Sequence, residues 1–129
     1  PSRTCDWPIV VPTISFILTN LSQVQERPIR VLELGAGCGL LGLGIAASVP
    51  DVHALLTDPA LPATLNSKAS NTLELLRNNV LLNRELVSDR VETAPLVWGD
   101  MDHIDAIKNS ERWADGFDLI VGSDLLYSV

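Results

Sequence analysis

Three glycines at alternate positions follow a short apolar run, and they constrain the fold of this chain more than any other feature. The run Ile29–Leu34 is rich in β-branched residues and leucine, and it leads directly into Gly35, Gly37 and Gly39. This order predicts a buried strand that enters a tight turn, because glycine adopts backbone conformations that other residues avoid. A helix that follows such a turn presents unpaired backbone N–H groups, so the cluster also predicts a ligand site.

The rest of the chain alternates between strand-like and helix-like segments. Gly39–Val49 is small and apolar and ends before Pro50, which is typical of a helix packed on a sheet. Three more strands are predicted, at Val52–Thr57, Val91–Trp98 and Phe117–Gly122. Three more helices are predicted: one at Pro8–Gln25, with Pro12 near its start, one at Thr64–Asn83, and a short one within Met101–Trp113. The alternation predicts an α/β fold of parallel strands joined by right-handed crossovers, with helices on both faces.

Composition narrows the class of protein. The 129 residues are 47% hydrophobic, which predicts one globular domain over residues 1–129. The net charge is −7 and no two basic residues are adjacent, so neither nucleic acid nor anionic lipid is an expected partner. The apolar stretches are shorter than a membrane span requires.

Cys5 and Cys38 have no neighbouring ligand residues, so neither a metal site nor a disulfide framework is predicted. We expect a cytoplasmic protein, with the nucleus as the alternative compartment.

Two cofactors fit the glycine turn. The segment Gly37–Gly42 matches the dinucleotide pattern GxGxxG, and Asp58 lies 21 residues after Gly37, where an acid would bind a ribose hydroxyl. Starting from Glu33, the spacing acid-x-Gly-x-Gly-x-Gly resembles motif I of class I methyltransferases instead. There the glycines pass under the methionyl part of S-adenosylmethionine, and an acid after the second strand binds the ribose. A third interpretation is purely structural: the turn permits close packing of strand and helix, and Glu33 accepts hydrogen bonds from the loop.

Later segments favour the methyltransferase interpretation. They resemble methyltransferase family 16, the lysine methyltransferase-like enzymes with a seven-stranded sheet, in which an Asn-rich helix, a LxWG segment and a strand ending in DxxY follow the acid. The matching segments here are Asn71–Asn83, Leu96-Val-Trp-Gly99 and Asp118–Tyr127, in which Asp124-Leu-Leu-Tyr127 is the DxxY. Trp7 resembles the upstream tryptophan of the family. The resemblance therefore spans nearly the whole chain.

The resemblance implies S-adenosylmethionine as cofactor and methyl transfer to a lysine side chain of a protein substrate. It implies cofactor contacts at Trp7, Glu33, Gly35, Ala36, Gly37, Asp58, Trp98 and Ser123, and catalytic roles for Asp124 and Tyr127. Ser123 stands where the family often has alanine, and a small residue is kept. In this scheme Asp124 orients the incoming amine and Tyr127 lies beside the sulfonium.

Other interpretations stay open at this point. A small-molecule methyltransferase and a non-catalytic interaction domain would have the same fold, whereas a dinucleotide-dependent reductase explains neither LxWG nor DxxY. Several of the residues also have structural alternatives. Trp98 could be a core or turn aromatic, Tyr127 a core aromatic, and Asp124 the cap of a following turn or helix. The remaining residues would form a solvated helix face and its exit, at Asn78, Asn79 and Asn83, or be structural or surface residues, at His53 and His103.

The last predicted strand runs almost to Val129. A seven-stranded family sheet needs more strands, so we expect a Rossmann-like, three-layer fold that is truncated after its fourth strand. Whether such a chain is active, and its oligomeric state, are not predicted by these residues.

Overall fold

Four parallel strands and five helices are seen in the computed structural model, which describes residues 7–59 and 72–122, with side chains from residue 11 onward. The strands are β1 (Ile29–Leu34), β2 (Val52–Asp58), β3 (Val91–Pro95) and β4 (Leu119–Gly122). The helices are α1 (Trp7–Ser22), α2 (Leu40–Ser48), α3 (Thr72–Leu82), α4 (Arg84–Val87) and α5 (Met101–Lys108).

The strand order is β3-β2-β1-β4, and every pairing is parallel. From β1 the chain moves outward through β2 and β3, and it then returns to place β4 on the other side of β1. In open α/β sheets, ligands bind at the carboxyl ends of the strands where the order reverses in this way. In this sheet that position is the edge where β1 and β4 end, and the glycine turn begins there.

Both faces of the sheet are covered, which confirms the predicted three-layer α/β fold. On one face, α1 to α4 pack against alternate strand residues, among them Ile29, Val31, Ala54 and Leu56. On the other face, Leu32 and Leu55 pack with Trp113, and Ile107 of α5 adds to this smaller cluster. The alternation follows from the twofold side-chain period of a strand.

The elements differ from the prediction mainly at their ends. β3 stops at Pro95 rather than Trp98, because its partner β2 ends at Asp58, which is paired with Pro95. β4 begins two residues later than predicted, at Leu119. Pro12 is the sixth residue of α1 rather than part of its first turn.

The helix predicted at 64–83 is observed from Thr72 to Leu82, and the part before it lies outside the described residues. The short helix α4 was not predicted. Among the described helices, none has both the length and the apolar character needed to cross a bilayer.

Gly42 sets the distance between α2 and the sheet. A Cβ atom at this position would overlap the side chain of Leu56 and lie 2.5 Å from Oε2 of Glu33. Gly44, two residues further along the same helix, is less crowded. The nearest atoms to a Cβ there would be those of the Val11 side chain, at 3.3 Å. The third glycine of the GxGxxG pattern is therefore explained by close packing of helix and strand.

We predict that Gly42→Ala lowers the free energy of unfolding by about 2 kcal/mol, because the added methyl group overpacks a buried contact. Gly44→Ala is the matched control. Alanine favours a helix more than glycine does, and this gain offsets the close contact with Val11. The free energy of unfolding of Gly44→Ala should therefore stay within about 1 kcal/mol of the wild-type value. Urea unfolding of the three proteins measures both values, and equal stabilities for the two variants would contradict this account of Gly42.

Candidate functional site

The glycine turn follows β1 directly and has an unusual backbone. Gly35, Gly37 and Gly39 have φ values of 61°, 58° and 87°, in the left-handed region that disfavours side chains. Between them, Ala36 is buried, and its N–H donates to the carbonyl oxygen of Thr57 at 2.8 Å. The turn is thus held against the end of β2 by backbone hydrogen bonding.

Asp58, the last residue of β2, ties the two strand ends together. Its side-chain oxygen Oδ2 accepts a hydrogen bond from the N–H of Gly37 at 2.9 Å, across 21 residues of sequence. This is the one hydrogen bond of that carboxylate within the described residues. Asp58 is 9% exposed, so its side chain is largely buried at the carboxyl edge of the sheet. The acid and the glycine turn, each predicted as part of a cofactor site, are therefore in contact.

Glu33 lies beneath the turn. It is 1% exposed, and its Oε2 accepts a hydrogen bond from the N–H of Gly42 at 2.9 Å. Burial raises the pKa of the Glu33 carboxyl to about 7; the bond from Gly42 opposes the rise and the charge of Asp58 adds to it. This position matches the structural alternative for Glu33, an acceptor for a backbone N–H. Its contact with a cofactor stays a prediction.

The raised pKa of Glu33 gives a pH dependence with a definite sign. The folded protein holds this proton up to about pH 7, whereas the unfolded chain releases it near 4.5, so stability must fall as pH rises through that window. Glu33→Gln cannot titrate. Relative to wild type, we predict that it gains on the order of 3 kcal/mol between pH 4.5 and pH 8, as measured by chemical unfolding. If the two stability curves run parallel over this range, the carboxyl of Glu33 is not protonated in the folded protein.

The segment after β3 completes this edge of the sheet. The N–H of Leu96 donates to the carbonyl oxygen of Asp58 at 3.1 Å, which brings the LxWG segment beside the acid. Trp98 is 56% exposed and lies in a turn with Gly99, so of its two structural alternatives the core aromatic is wrong and the turn aromatic agrees with the structure. Gly99 has φ 86°, and Asp100 then caps α5 by accepting from the N–H groups of Asp102 and His103.

Two residues near the site were assigned no chemical role from the sequence. Asn79 of α3 donates from its side chain to the carbonyl oxygen of Cys38 at 2.8 Å, so it is not a purely solvated residue. His103 of α5 accepts from the N–H of Val97 at 3.0 Å through Nδ1, in agreement with the structural role predicted for it. Asn79 is three residues beyond the buried Leu76, and this spacing at the border of the apolar stripe was the available signal.

The structure brings most, but not all, of the predicted site together. Gly35, Ala36, Gly37, Asp58 and the Trp98 segment share the carboxyl edge, with Glu33 below them. Trp7 belongs to α1, and its side chain is not among those described. Ser123, Asp124 and Tyr127 lie outside the described residues. The strand that precedes them, β4, ends at Gly122 beside Leu34.

A parallel sheet with a left-handed glycine turn and an acid on the next strand is the arrangement found in α/β domains that bind nucleoside-containing cofactors. The sequence profile of the lysine methyltransferase family matches residues 6–129. The chain belongs to this family, methyltransferase family 16 of the class I methyltransferases. This membership confirms the predicted resemblance, and it favours the methyltransferase interpretation of the glycine turn over the dinucleotide interpretation.

Two of three similar curated proteins carry protein-lysine methyltransferase names. The chain is 32% identical over 104 residues to a UPF0665 family protein of Schizosaccharomyces pombe, 28% identical over 125 residues to a protein-lysine N-methyltransferase of Chaetomium thermophilum, and 29% identical over 123 residues to a protein-lysine methyltransferase of Bos taurus. These alignments cover 81%, 95% and 95% of the chain, and 27%, 33% and 37% of the relatives. The chain thus spans about a third of the length of the curated relatives it matches.

Proposed function

We propose that the chain binds S-adenosylmethionine at the carboxyl edge of its sheet and forms the donor side of a protein-lysine methyltransferase. The observation that carries the proposal is the hydrogen bond between Gly37 and Asp58, because it joins the glycine turn to the acid that would bind the ribose. Family membership supports S-adenosylmethionine as the methyl donor. The names of the two protein-lysine methyltransferase relatives support a protein lysine as the acceptor.

The residues present fit such a cofactor. A Cβ atom at Gly37 would meet nothing within 4 Å, so the turn presents bare backbone to open space. Among the described residues, Asp58 uses one carboxylate oxygen to hold the turn and the other has no partner, so we assign the second oxygen to a ribose hydroxyl. The exposed ring of Trp98 lies on the segment bonded to Asp58, and an adenine ring stacks well on such a face.

When bound, S-adenosylmethionine would supply a methyl group on a positively charged sulfur; a neutral amine would attack the methyl carbon in line as the C–S bond breaks, with the neutral thioether as leaving group and the positive charge passing to the methylated amine. The task of the protein is therefore to hold the methyl group and the acceptor amine close and aligned. A lysine amine has an ordinary pKa of about 10.4, so the site must also favour its neutral form, which alone is nucleophilic. We assign to Asp124 the orientation of the incoming amine and to Tyr127 a position beside the sulfonium.

Cofactor binding is tested by calorimetric titration of the 129-residue chain with S-adenosylmethionine and, for comparison, with NADH. We predict saturable binding of S-adenosylmethionine alone. Asp58→Asn keeps an oxygen for the N–H of Gly37 but replaces the other acceptor with a donor, so affinity should fall about tenfold or more. Binding of NADH, or equal affinity in Asp58→Asn, would contradict the assignment of this edge.

Methyl transfer is tested with a radiolabelled methyl donor and a cell extract as the acceptor mixture. We predict label in protein that is recovered as methylated lysine after hydrolysis. Asp124→Ala should abolish this label while it leaves the affinity for S-adenosylmethionine within about twofold of wild type. Label confined to small metabolites would indicate a small-molecule methyltransferase, and cofactor binding without any transfer would indicate a non-catalytic domain.

A further inference from the structure

The segment between β3 and α5 is short and bonded at each end. At its start, Leu96 is held by the carbonyl oxygen of Asp58 at 3.1 Å. At its end, the N–H of Asp100 donates to the carbonyl oxygen of Val97 at 3.0 Å, and the Asp100 side chain caps α5. Trp98 lies between these two points with its ring exposed, so its position depends on how firmly the backbone on either side is held.

The N–H of Val97, directly before Trp98, is satisfied by a side chain from α5. It donates to Nδ1 of His103 at 3.0 Å, and the His103 side chain is half-buried. The backbone of His103 is itself fixed, because its N–H donates to Asp100 at 3.2 Å. The imidazole therefore bridges a helix that is anchored by its cap and the residue that precedes the exposed tryptophan.

We propose that His103 is a positioning residue for the cofactor site: its neutral imidazole holds the Val97–Trp98 backbone so that Trp98 is presented beside Asp58. The inference rests on the proposed function, since it assigns Trp98 to the cofactor. It goes further, because it makes the orientation of that ring depend on the protonation state of a residue outside the glycine turn.

The hydrogen bond requires one protonation state of His103. An imidazole nitrogen accepts a hydrogen bond only while it carries no proton, and in the imidazolium form both ring nitrogens are donors. The carboxylate beside this ring is that of Asp100, with Oδ2 3.7 Å from Nδ1. Glu92 of β3 lines the same cavity of about 150 Å³, but its two oxygens accept hydrogen bonds from Arg112 and from the indole N–H of Trp113. Protonation would therefore break the bond to Val97 and turn Nδ1 toward Asp100. We expect the Trp98 segment to be released as pH falls.

Two substitutions separate the hydrogen bond from the bulk of the side chain. His103→Asn places an amide oxygen where Nδ1 stands, so it keeps the acceptor and cannot be protonated. His103→Leu fills similar space without any acceptor, and leucine favours a helix more than histidine does. At about pH 8 we expect wild type and His103→Asn to bind S-adenosylmethionine within about twofold of each other, and His103→Leu to bind about fivefold more weakly, the factor that one net hydrogen bond supplies.

The pH profile distinguishes positioning from a general structural role. When pH is lowered until the imidazole is protonated, wild type should lose affinity relative to His103→Asn, which has no group at this position that can take up the proton. The charges of Asp100 and Glu92 are present in both proteins, whereas the attraction between Asp100 and a protonated imidazole exists only in wild type and is part of the proposed release. Matching pH profiles for wild type and His103→Asn, or full affinity in His103→Leu, would overturn the proposal.

A second readout needs no cofactor. The fluorescence of Trp98, isolated as the difference between each protein and its Trp98→Phe counterpart, should become more accessible to iodide quenching as pH falls in wild type, but not in His103→Asn. If no protein binds S-adenosylmethionine, the proposed function fails while this measurement still tests the role of His103. A Trp98 signal that does not respond to pH in wild type would refute that role.

Discussion

The hydrogen bond between the N–H of Gly37 and the carboxylate of Asp58 is the interaction on which the rest of the site depends. It connects the turn after β1 with the end of β2, and the carbonyl oxygen of Asp58 in turn holds the segment that follows β3. Three consecutive strand ends are thus linked through one residue. Because the carboxyl ends of parallel strands share an edge, this linkage assembles a continuous surface at the point where the strand order reverses.

The same turn carries a cost in stability. Within the described part of the chain, Glu33 is buried with one backbone donor, and with a pKa of about 7 its carboxyl is protonated in about half of the molecules near pH 7. Three left-handed glycines add backbone entropy to the cost of folding. Close packing accounts for Gly39 and Gly42, since a Cβ at either would overlap a leucine side chain, but it does not account for Gly37, whose Cβ would meet no described atom within 4 Å. We infer that the left-handed backbone at Gly37 serves a ligand.

Much of the fold was predictable because apolar runs and glycines act locally. The strand at 29–34 was predicted at its observed ends, and α2 and β2 were predicted within one residue at each end. The acid and the glycine turn were also predicted to form one site, since their spacing is a property of a strand-turn-helix unit. The resemblance to family 16 extended this to the Trp98 segment.

What escaped prediction depends on contacts between distant parts of the chain. The bond from Asn79 to Cys38 spans 41 residues, and neither residue type signals such a partner. The bond from Val97 to His103 is short in sequence but requires the turn of Gly99 and the cap of Asp100 to bring the ring back over the segment. The length of β3 was overestimated for a related reason: the strand ends where its partner ends, not where its apolar residues do.

If the left-handed glycine turn serves to admit the cofactor, alanine substitutions at Gly37 and at Gly116 should differ in their effect on cofactor affinity. Gly37 and Gly116 both have left-handed φ values, 58° and 83°, and a Cβ at either would meet nothing within 4 Å, but Gly116 lies outside the proposed site. The backbone strain from Gly37→Ala and Gly116→Ala should therefore be similar, about 1 to 2 kcal/mol. The account predicts that S-adenosylmethionine affinity falls at least tenfold in Gly37→Ala and is unchanged in Gly116→Ala. Equal affinities in the two folded variants would contradict it.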